Sequence, residues 1–300
     1  MGTFTIVVDS NCDLPPEYVK EHGFKVLPMP FSLDGREHNL GSWQEISSQE
    51  YYAALRRGSV AKTTLINHGA FVAAFSEYAK EGREALFIIL SSGLSATYQN
   101  AETALQEVRA AYPGCGIHII DCLSATSGHG FLAMLAANRR AEGFSAGETA
   151  AWLEEKKHVC FGLFTVDDLM YLHRGGRLSK FSAVAGSMLG VKPLLNIAPD
   201  GTLKLKEKVR GRKAALQLLA SQIKRSIHPD TMLDTIMISH TDCFGDAQMF
   251  AEMIKAAINV RQVLIMMTGP VIGAHLGPGA IAVVFEADMT RTEYERKYYG

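Results

Sequence analysis

The chain has 300 residues, of which 47% are apolar and 20% are charged, values that are ordinary for a soluble globular protein with a large core. Thirty basic against thirty-one acidic side chains leave a net charge of −1, which argues against a general nucleic-acid binder and against a disordered chain. The five cysteines include no C-x-x-C pair, so their number and spacing disfavour disulfides and zinc knuckles and predict a reducing, cytoplasmic compartment.

The N-terminal half alternates between strand and helix patterns. No basic region followed by a long apolar run stands before the first strand, so we expect no secretory leader. Continuous apolar runs, typical of strands covered on both faces, are followed by segments with helical spacing, and two capping boxes begin at Ser47 and Ser145. This alternation predicts a parallel sheet with helices on both faces. The predicted strands span 4–8, 86–90 and 117–120, and the helices span 69–82, 96–111 and 127–142.

The C-terminal half carries a second set of elements. Asp200-Gly201 is a hairpin signal, and the strand after it alternates apolar and basic residues. Glycines and prolines interrupt the apolar stretch 263–285, so it is not a spanning helix. We predict an α/β fold of two lobes, 1–158 and 159–300, with a ligand cleft between them. Predicted strands are 159–165, 193–197, 203–209, 233–239, 263–268 and 281–285, and predicted helices are 211–226 and 245–257.

Hydroxyl side chains and a glycine follow the strand at 86–90. Ser92, Gly93 and Ser95 lie there just before a helix, at the sheet edge where α/β proteins bind ligands. Free N–H groups and the helix dipole favour an anion such as a carboxylate or phosphate. The simpler interpretation is that these serines cap the helix. Thr63 or Thr64, before another helical segment, is a second candidate for the same point, with the same simpler explanation.

Carboxylates and imidazoles at other strand ends are weaker candidates. Asp9 and Asp121 suit a metal or acid–base chemistry, but such residues more often cap a turn. His240 ends a strand and is interpreted as structural. We predict that His275 lies in a glycine-rich loop that lets the backbone approach a ligand closely, so we favour a functional role for it.

A locally basic region is hidden by the balanced total charge. Arg174 and Arg177 flank a glycine pair, and Lys180 and Lys192 follow. Two interpretations stay open for this region, a solvated strand face or a docking surface for an acidic partner or phosphate. The stripe at 204–213 contains Lys204, Lys206, Lys208, Arg210, Arg212 and Lys213.

The sequence lacks the common catalytic motifs. It has no P-loop, no G-x-G-x-x-G after the first strand, no H-E-x-x-H and no G-x-S-x-G. ATP-binding, dinucleotide-binding, zinc-peptidase and α/β-hydrolase functions therefore lose support. A covalent serine mechanism would need a base such as His275 near Ser92 or Ser95.

Six segments taken together resemble the DegV family, the bacterial fatty-acid-binding proteins that act as the FakB subunit of fatty acid kinase. The resemblance covers nearly the whole chain, and the order of the motifs is highly specific. The segments are VDSNCDLP at 8–15, SVAKTT at 59–64, LSSGLSATYQ at 90–99, LHRGGRLS at 172–179, KP at 192–193 and HLGPGA at 275–280.

The resemblance implies a lipid-binding protein of phospholipid metabolism and not an enzyme. One long-chain fatty acid is buried between two lobes, and a separate ATP-dependent kinase phosphorylates its carboxylate. The resemblance implies no metal and no cofactor. It also implies no nucleic-acid partner and no stable membrane insertion. The carboxylate-binding positions correspond to Thr63 and Ser92, with Gly93, Ser95 and His275 nearby. Arg177 also matches a family position near the carboxylate end. With Arg174, Lys206 and Arg210 of the basic region, it is a candidate for phosphoryl transfer or kinase docking.

One segment departs from the family. Where the family usually has Thr-Ser-Gln-Pro-Ser, this chain has Thr63-Thr64-Leu65-Ile66-Asn67, which leaves the preferred acyl length open. Two other hypotheses also remain, a serine-dependent acyl or phosphoryl transferase acting alone and a docking module built on the 204–213 stripe. Turnover without a kinase would support the first, and salt-dependent binding would support the second.

Overall fold

The computed structural model describes residues 4–178 and 190–300. Lys180 of the predicted basic region and Ser179 of the motif at 172–179 lie outside these ranges. The predicted strands and helices of the N-terminal half are present, with ends displaced by a residue or two. Its strands are β1 (Thr5–Asp9), β2 (Lys25–Leu27), β3 (Phe31–Leu33), β4 (Arg36–His38), β5 (Ala61–Thr63), β6 (Ala85–Ile89) and β7 (Ile117–Asp121). Its helices are α1 (Pro16–Glu21), α2 (Ser48–Arg56), α3 (His68–Lys80), α4 (Thr97–Ala111), α5 (Ser127–Ala141) and α6 (Ala146–Lys156).

The C-terminal half matches its predicted elements and adds three helices. Its strands are β8 (Cys160–Thr165), β9 (Val191–Ile197), β10 (Leu203–Arg210), β11 (Leu233–His240), β12 (Val260–Met267) and β13 (Ile281–Glu286). Its helices are α7 (Met170–Arg174), α8 (Arg212–Ser226), α9 (Phe244–Ala257), α10 (Pro270–Leu276) and α11 (Arg291–Tyr299). The sequence patterns did not predict α7, α10 or α11.

Three sheets organise the strands. The first has the order β2-β1-β6-β7 and is parallel throughout. The second has the order β10-β9-β8-β13-β11-β12 and is mixed, with only the β11–β12 pair parallel. A small antiparallel sheet, β4-β3-β5, was not predicted, because its three-residue strands are too short to show a periodicity. The α/β class is confirmed.

Helix α5 lies between the two larger sheets. Leu132 and Ala136 of this helix share one buried cluster with Ile6 of the first sheet and with Val284 of the second. Small residues make this possible, since a methyl group on Gly130 would stand 2.5 Å from the Cys12 carbonyl oxygen. The boundary after residue 158 stays a prediction. This boundary separates the strands of the first sheet from those of the second. The buried cluster around α5, however, contains residues from both sides of the boundary.

Local signals that begin helices behave as predicted. Ser47 and Ser145 each form a capping box with the glutamate three residues later. All five cysteines are free thiols. No helix within the described ranges is both long and apolar enough to cross a bilayer.

Candidate functional site

An apolar cavity of about 330 Å³, here called the inner cavity, lies between the two larger sheets. Strands of both halves and helix α10 line it, with apolar side chains such as Met29, Phe164, Ile197 and Val284. Its polar lining residues are Thr63, Ser95, Thr126, Ser127, Arg177 and His275. Because most of its wall is hydrocarbon, the cavity suits an apolar ligand with one polar end.

Two polar side chains meet where α10 faces the small sheet. Thr63 Oγ1 and His275 Nε2 are joined by a hydrogen bond of 2.9 Å. Thr63 ends strand β5, and His275 lies in the last turn of α10. The loop predicted around His275 is therefore wrong, since the segment is a helix. Pro270 at the first helical position and Gly277 after the last are the signals that could have predicted it.

Arg177 supplies a positive charge beside this pair. Its Nε–H donates to the Leu94 carbonyl at 3.0 Å and its Nη1–H to the Gly175 carbonyl at 2.6 Å. In residues 4–178 and 190–300, no carboxylate lies within ion-pair distance of it. Burial lowers the pKa of Arg177. A half-buried guanidinium with no carboxylate at ion-pair distance is chemically suited to binding an anion.

His275 is neutral at pH 7. Burial, and secondarily the charge of Arg177, lowers the pKa of His275 to about 4. Its Nδ1 has no hydrogen-bond partner among the described residues. A methyl group on Gly175 would overlap this nitrogen, so the glycine lets the ring lie against the backbone. The imidazole therefore offers its Nε2 edge to Thr63.

The lowered pKa of His275 predicts a pH-dependent stability. Its ordinary value is 6.5, so the unfolded chain binds this proton more readily than the folded one between about pH 4 and 6.5. This part of the unfolding free energy is fully present above pH 6.5 and is lost as pH falls toward 4, by up to roughly 3 kcal/mol. We expect urea unfolding of His275→Gln to lose less stability between pH 7 and 4.5 than the wild type. Asp13, whose pKa burial raises, titrates in both proteins, so equal losses would contradict the prediction.

The serines predicted at this site separate in the structure. Ser95 lines the inner cavity, and its Oγ lies 2.8 Å from Thr97 Oγ1. Ser92 and Gly93 are not among the lining residues. The Ser92 N–H donates to Asp121 Oδ1 and the Gly93 N–H to Ser91 Oγ. A methyl group on Gly93 would stand 2.6 Å from the Gly201 backbone, so this glycine serves the packing of the hairpin.

The aspartates at the strand ends accept hydrogen bonds from backbone N–H groups of nearby loops. Asp9 accepts N–H groups of Asn11 and Leu90, and Asp121 accepts those of Ser92 and Leu123. His240 Nδ1 accepts the Cys243 N–H, which agrees with its structural interpretation. No group of three potential metal-binding side chains occurs in the described part of the chain.

A polar space lies on the far side of the Thr63–His275 pair. This outer cavity has a volume of about 240 Å³ and shares Thr63, Arg177 and His275 with the inner one. Lys62 and Arg174 also line it, and no acidic side chain stands among its described lining residues. The three shared residues thus form a wall between an apolar space and a cationic one.

The predicted basic stripe is not one surface. A bulge shifts the register of β10 between Leu205 and Glu207, so residues before and after it change face. Lys204 pairs with Asn196 but Lys208 with Pro193, neighbours on opposite faces of β9. Lys206 is bound to Glu295, with 10% of its side chain exposed, which corrects its prediction as a docking residue. Arg210 is exposed on the same face as Lys208.

The described residues show no hydrogen bond from His275 to Ser92 or Ser95, because its Nε2 is bound to Thr63. A serine nucleophile with His275 as base thus has no geometric support.

The sequence analysis did not identify Thr126 and Ser127, which line the inner cavity. Their hydroxyls are bound to Ser239 of β11 at 2.8 and 3.1 Å. Both residues follow the predicted strand at 117–120. Their position after a strand end is the signal that could have identified them as candidates.

Comparisons with known proteins agree with one another. A family model described as an uncharacterised protein of the DegV family matches residues 3–288. A DegV domain-containing protein of Clostridium perfringens is 38% identical over 289 residues, which are 96% of this chain and 99% of the relative. A DegV lipid-binding protein of Thermotoga maritima is similar in structure, with a TM-score of 0.83, 26% identity and coverage of 96% and 99%. A fatty-acid-binding DegV family protein of Thermus thermophilus has a TM-score of 0.84 and 26% identity. The match covers 95% of this chain and 99% of that protein.

Proposed function

The chain belongs to the DegV family, and we propose that it binds one long-chain fatty acid and presents the carboxylate to a separate kinase. The acyl chain lies in the inner cavity, and the carboxylate lies at the wall of Thr63, Arg177 and His275. The observation that carries the proposal is Arg177, which has no carboxylate within ion-pair distance among the described residues. It stands at the polar end of an apolar cavity. A fatty acid supplies a carboxylate for the guanidinium and a hydrocarbon chain for the cavity.

The energetics favour such a ligand. Each buried CH₂ contributes about 0.8 kcal/mol, so a chain of about sixteen carbons gains on the order of 10 kcal/mol before ordering costs. The carboxylate loses its hydration in the cavity, which is costly unless it is hydrogen-bonded. Hydroxyl, imidazole and guanidinium donors at the wall compensate that loss.

Ser95 takes the role that the sequence suggested for Ser92. Its side chain lines the inner cavity, whereas the Ser92 N–H is held by Asp121 outside that lining. Thr63, Ser95, Arg177 and His275 therefore form the carboxylate site in this proposal. Ser92 and Gly93 shape the loop that carries Ser95.

The kinase approaches from the outer cavity. Lys62 and Arg174 are exposed there, and their charges suit an incoming phosphoryl group. In the proposed reaction, a carboxylate oxygen attacks the terminal phosphorus of ATP, the bond to the ADP oxygen breaks, and an acyl phosphate forms. The protein contributes binding and orientation and no nucleophile of its own. A cytoplasmic location and a role in phospholipid metabolism belong to the same proposal.

Organic extraction of the purified protein followed by mass spectrometry tests the binding proposal. We expect about one long-chain fatty acid per chain, and uptake of added palmitate or oleate by the delipidated protein. Ser95→Ala is expected to lower fatty-acid affinity by about tenfold or more, the cost of one hydrogen bond to a charged group. Its matched control, Ser92→Ala in the same loop, is expected to leave the affinity within twofold of the wild type.

An empty cavity together with no uptake of either fatty acid would refute the proposal. The kinase step has its own test, because delipidated protein reloaded with oleate should yield acyl phosphate only when a fatty acid kinase and ATP are added. Product formed without a kinase would instead support the transferase alternative.

A further inference from the structure

Three consecutive residues of the C-terminal half contact three side chains of the N-terminal half. The Tyr52 hydroxyl donates to the Thr268 carbonyl and the Tyr51 hydroxyl to the Pro270 carbonyl, each at 2.7 Å. The Asp13 side chain lies against Gly269 between them, where a methyl group on the glycine would stand 2.5 Å from Asp13 Oδ1. Both tyrosines are fully buried, and burial raises the pKa of each, so that they remain donors.

These contacts fix the start of α10. Gly269 caps the helix and Pro270 is its first residue. His275 lies five residues after Pro270, about 7.5 Å along the axis at about 1.5 Å per residue. Tyr52 also contacts the middle of the helix, since a methyl group on Gly273 would stand 2.6 Å from its hydroxyl oxygen. Because α10 is short and rigid, a shift at its first turn moves His275.

Tyr51 and Tyr52 lie on helix α2. The same helix also positions Thr63, the hydrogen-bond partner of His275. Strand β5 pairs with β3, with Thr63 opposite Phe31. The Phe31 ring packs edge-on against Tyr51, with centroids 5.6 Å apart. Both ends of the Thr63–His275 hydrogen bond are thus located relative to adjacent tyrosines of α2.

We propose that Tyr51, Tyr52 and Asp13 are positioning residues that set the distance between Thr63 and His275, and through it the shape of the carboxylate site. None of the three lines the inner or the outer cavity, so they act through α10 and not on a ligand. Only the link to the carboxylate rests on the proposed function. The placement of His275 does not.

The test measures the His275 ring by NMR titration of delipidated protein in a Tyr51→Phe/Tyr52→Phe variant. Phenylalanine keeps the buried rings and removes only the two hydroxyls. With α10 loosened and water admitted, the pKa of His275 should rise from about 4 by about one unit or more toward its ordinary value. Palmitate affinity should fall about tenfold, as expected for a charge-assisted hydrogen bond, while affinity for hexadecanol stays within twofold.

Two further variants separate positioning from general damage. Tyr294→Phe removes a buried tyrosine hydroxyl bound to Gln222 within the C-terminal half and should leave the His275 titration unchanged. Asp13→Asn keeps a side-chain oxygen beside Gly269 and tolerates the left-handed backbone at this position (φ 51°). It should therefore behave as the wild type, whereas Asp13→Ala should resemble the tyrosine variant.

An unchanged His275 titration in the double variant would overturn the inference, as would parallel losses of palmitate and hexadecanol binding. If the wild type bound no fatty acid, the proposed function would fail, and the titration would still decide whether the two tyrosines position His275.

Discussion

Replacing Thr63 with valine should lower the affinity for palmitate by about tenfold or more and leave the affinity for hexadecanol within twofold. Valine keeps the branched shape and the strand preference of threonine, so β5 is preserved. The change removes the hydroxyl that bonds His275 Nε2 and that we assign to the carboxylate. Leaving a buried polar group unpaired costs about 1–3 kcal/mol, more beside a charge. Competition with a fluorescent fatty acid would measure both affinities.

Thr63→Ser is the matched control because it restores the hydroxyl without the methyl group. It should recover most of the palmitate affinity. Equal losses for acid and alcohol in Thr63→Val would show that Thr63 shapes the cavity and does not recognise the carboxylate.

Replacing Gly175 with alanine should be comparably damaging, although no side chain is removed. Gly175 has an ordinary helical backbone (φ −72°), so alanine is not strained there. Its methyl group would overlap His275 Nδ1 and force the ring away from Thr63. We expect palmitate affinity to fall about tenfold, the cost of one lost charge-assisted hydrogen bond, with a changed His275 NMR signal in the delipidated protein.

The neighbouring glycine provides the opposite control. Gly176 has φ +70° and open space where a methyl group would lie. Gly176→Ala should therefore cost about 1 kcal/mol of stability through backbone strain while palmitate affinity is retained. If Gly176→Ala lowered the affinity as much as Gly175→Ala, backbone disturbance of the loop would explain both, and steric displacement of His275 would not.

Elements with a clear periodicity could be predicted from the sequence, and elements fixed by packing could not. The apolar runs at 86–90 and 117–120 became β6 and β7 because strands covered on both faces need no polar alternation. Helix α10 contains Gly273, a residue that disfavours a helix in isolation. It forms where Gly273 makes room for Tyr52, a contact 221 residues away in sequence that no local pattern reveals.

The candidate site shows the same division. Residue types and resemblance pointed to Thr63, Arg177 and His275, which the fold brings together. Of the two candidate serines, Ser95 lines the inner cavity, whereas the Ser92 N–H is bound to Asp121, a contact 29 residues away that no local pattern reveals. Alternation predicted that Lys206 shares a face with Lys204, but one bulge in β10 and the partner Glu295 removed it from the surface.

The wall between the two cavities has an evolutionary consequence. Among the described lining residues, Thr63, Arg177 and His275 are the ones that both spaces share. Mutations elsewhere in the inner cavity can therefore alter tail length or shape without touching the residues that face outward. Descendants of one ancestral protein with this wall would keep the same outward-facing residues while the inner cavity changes in length and shape.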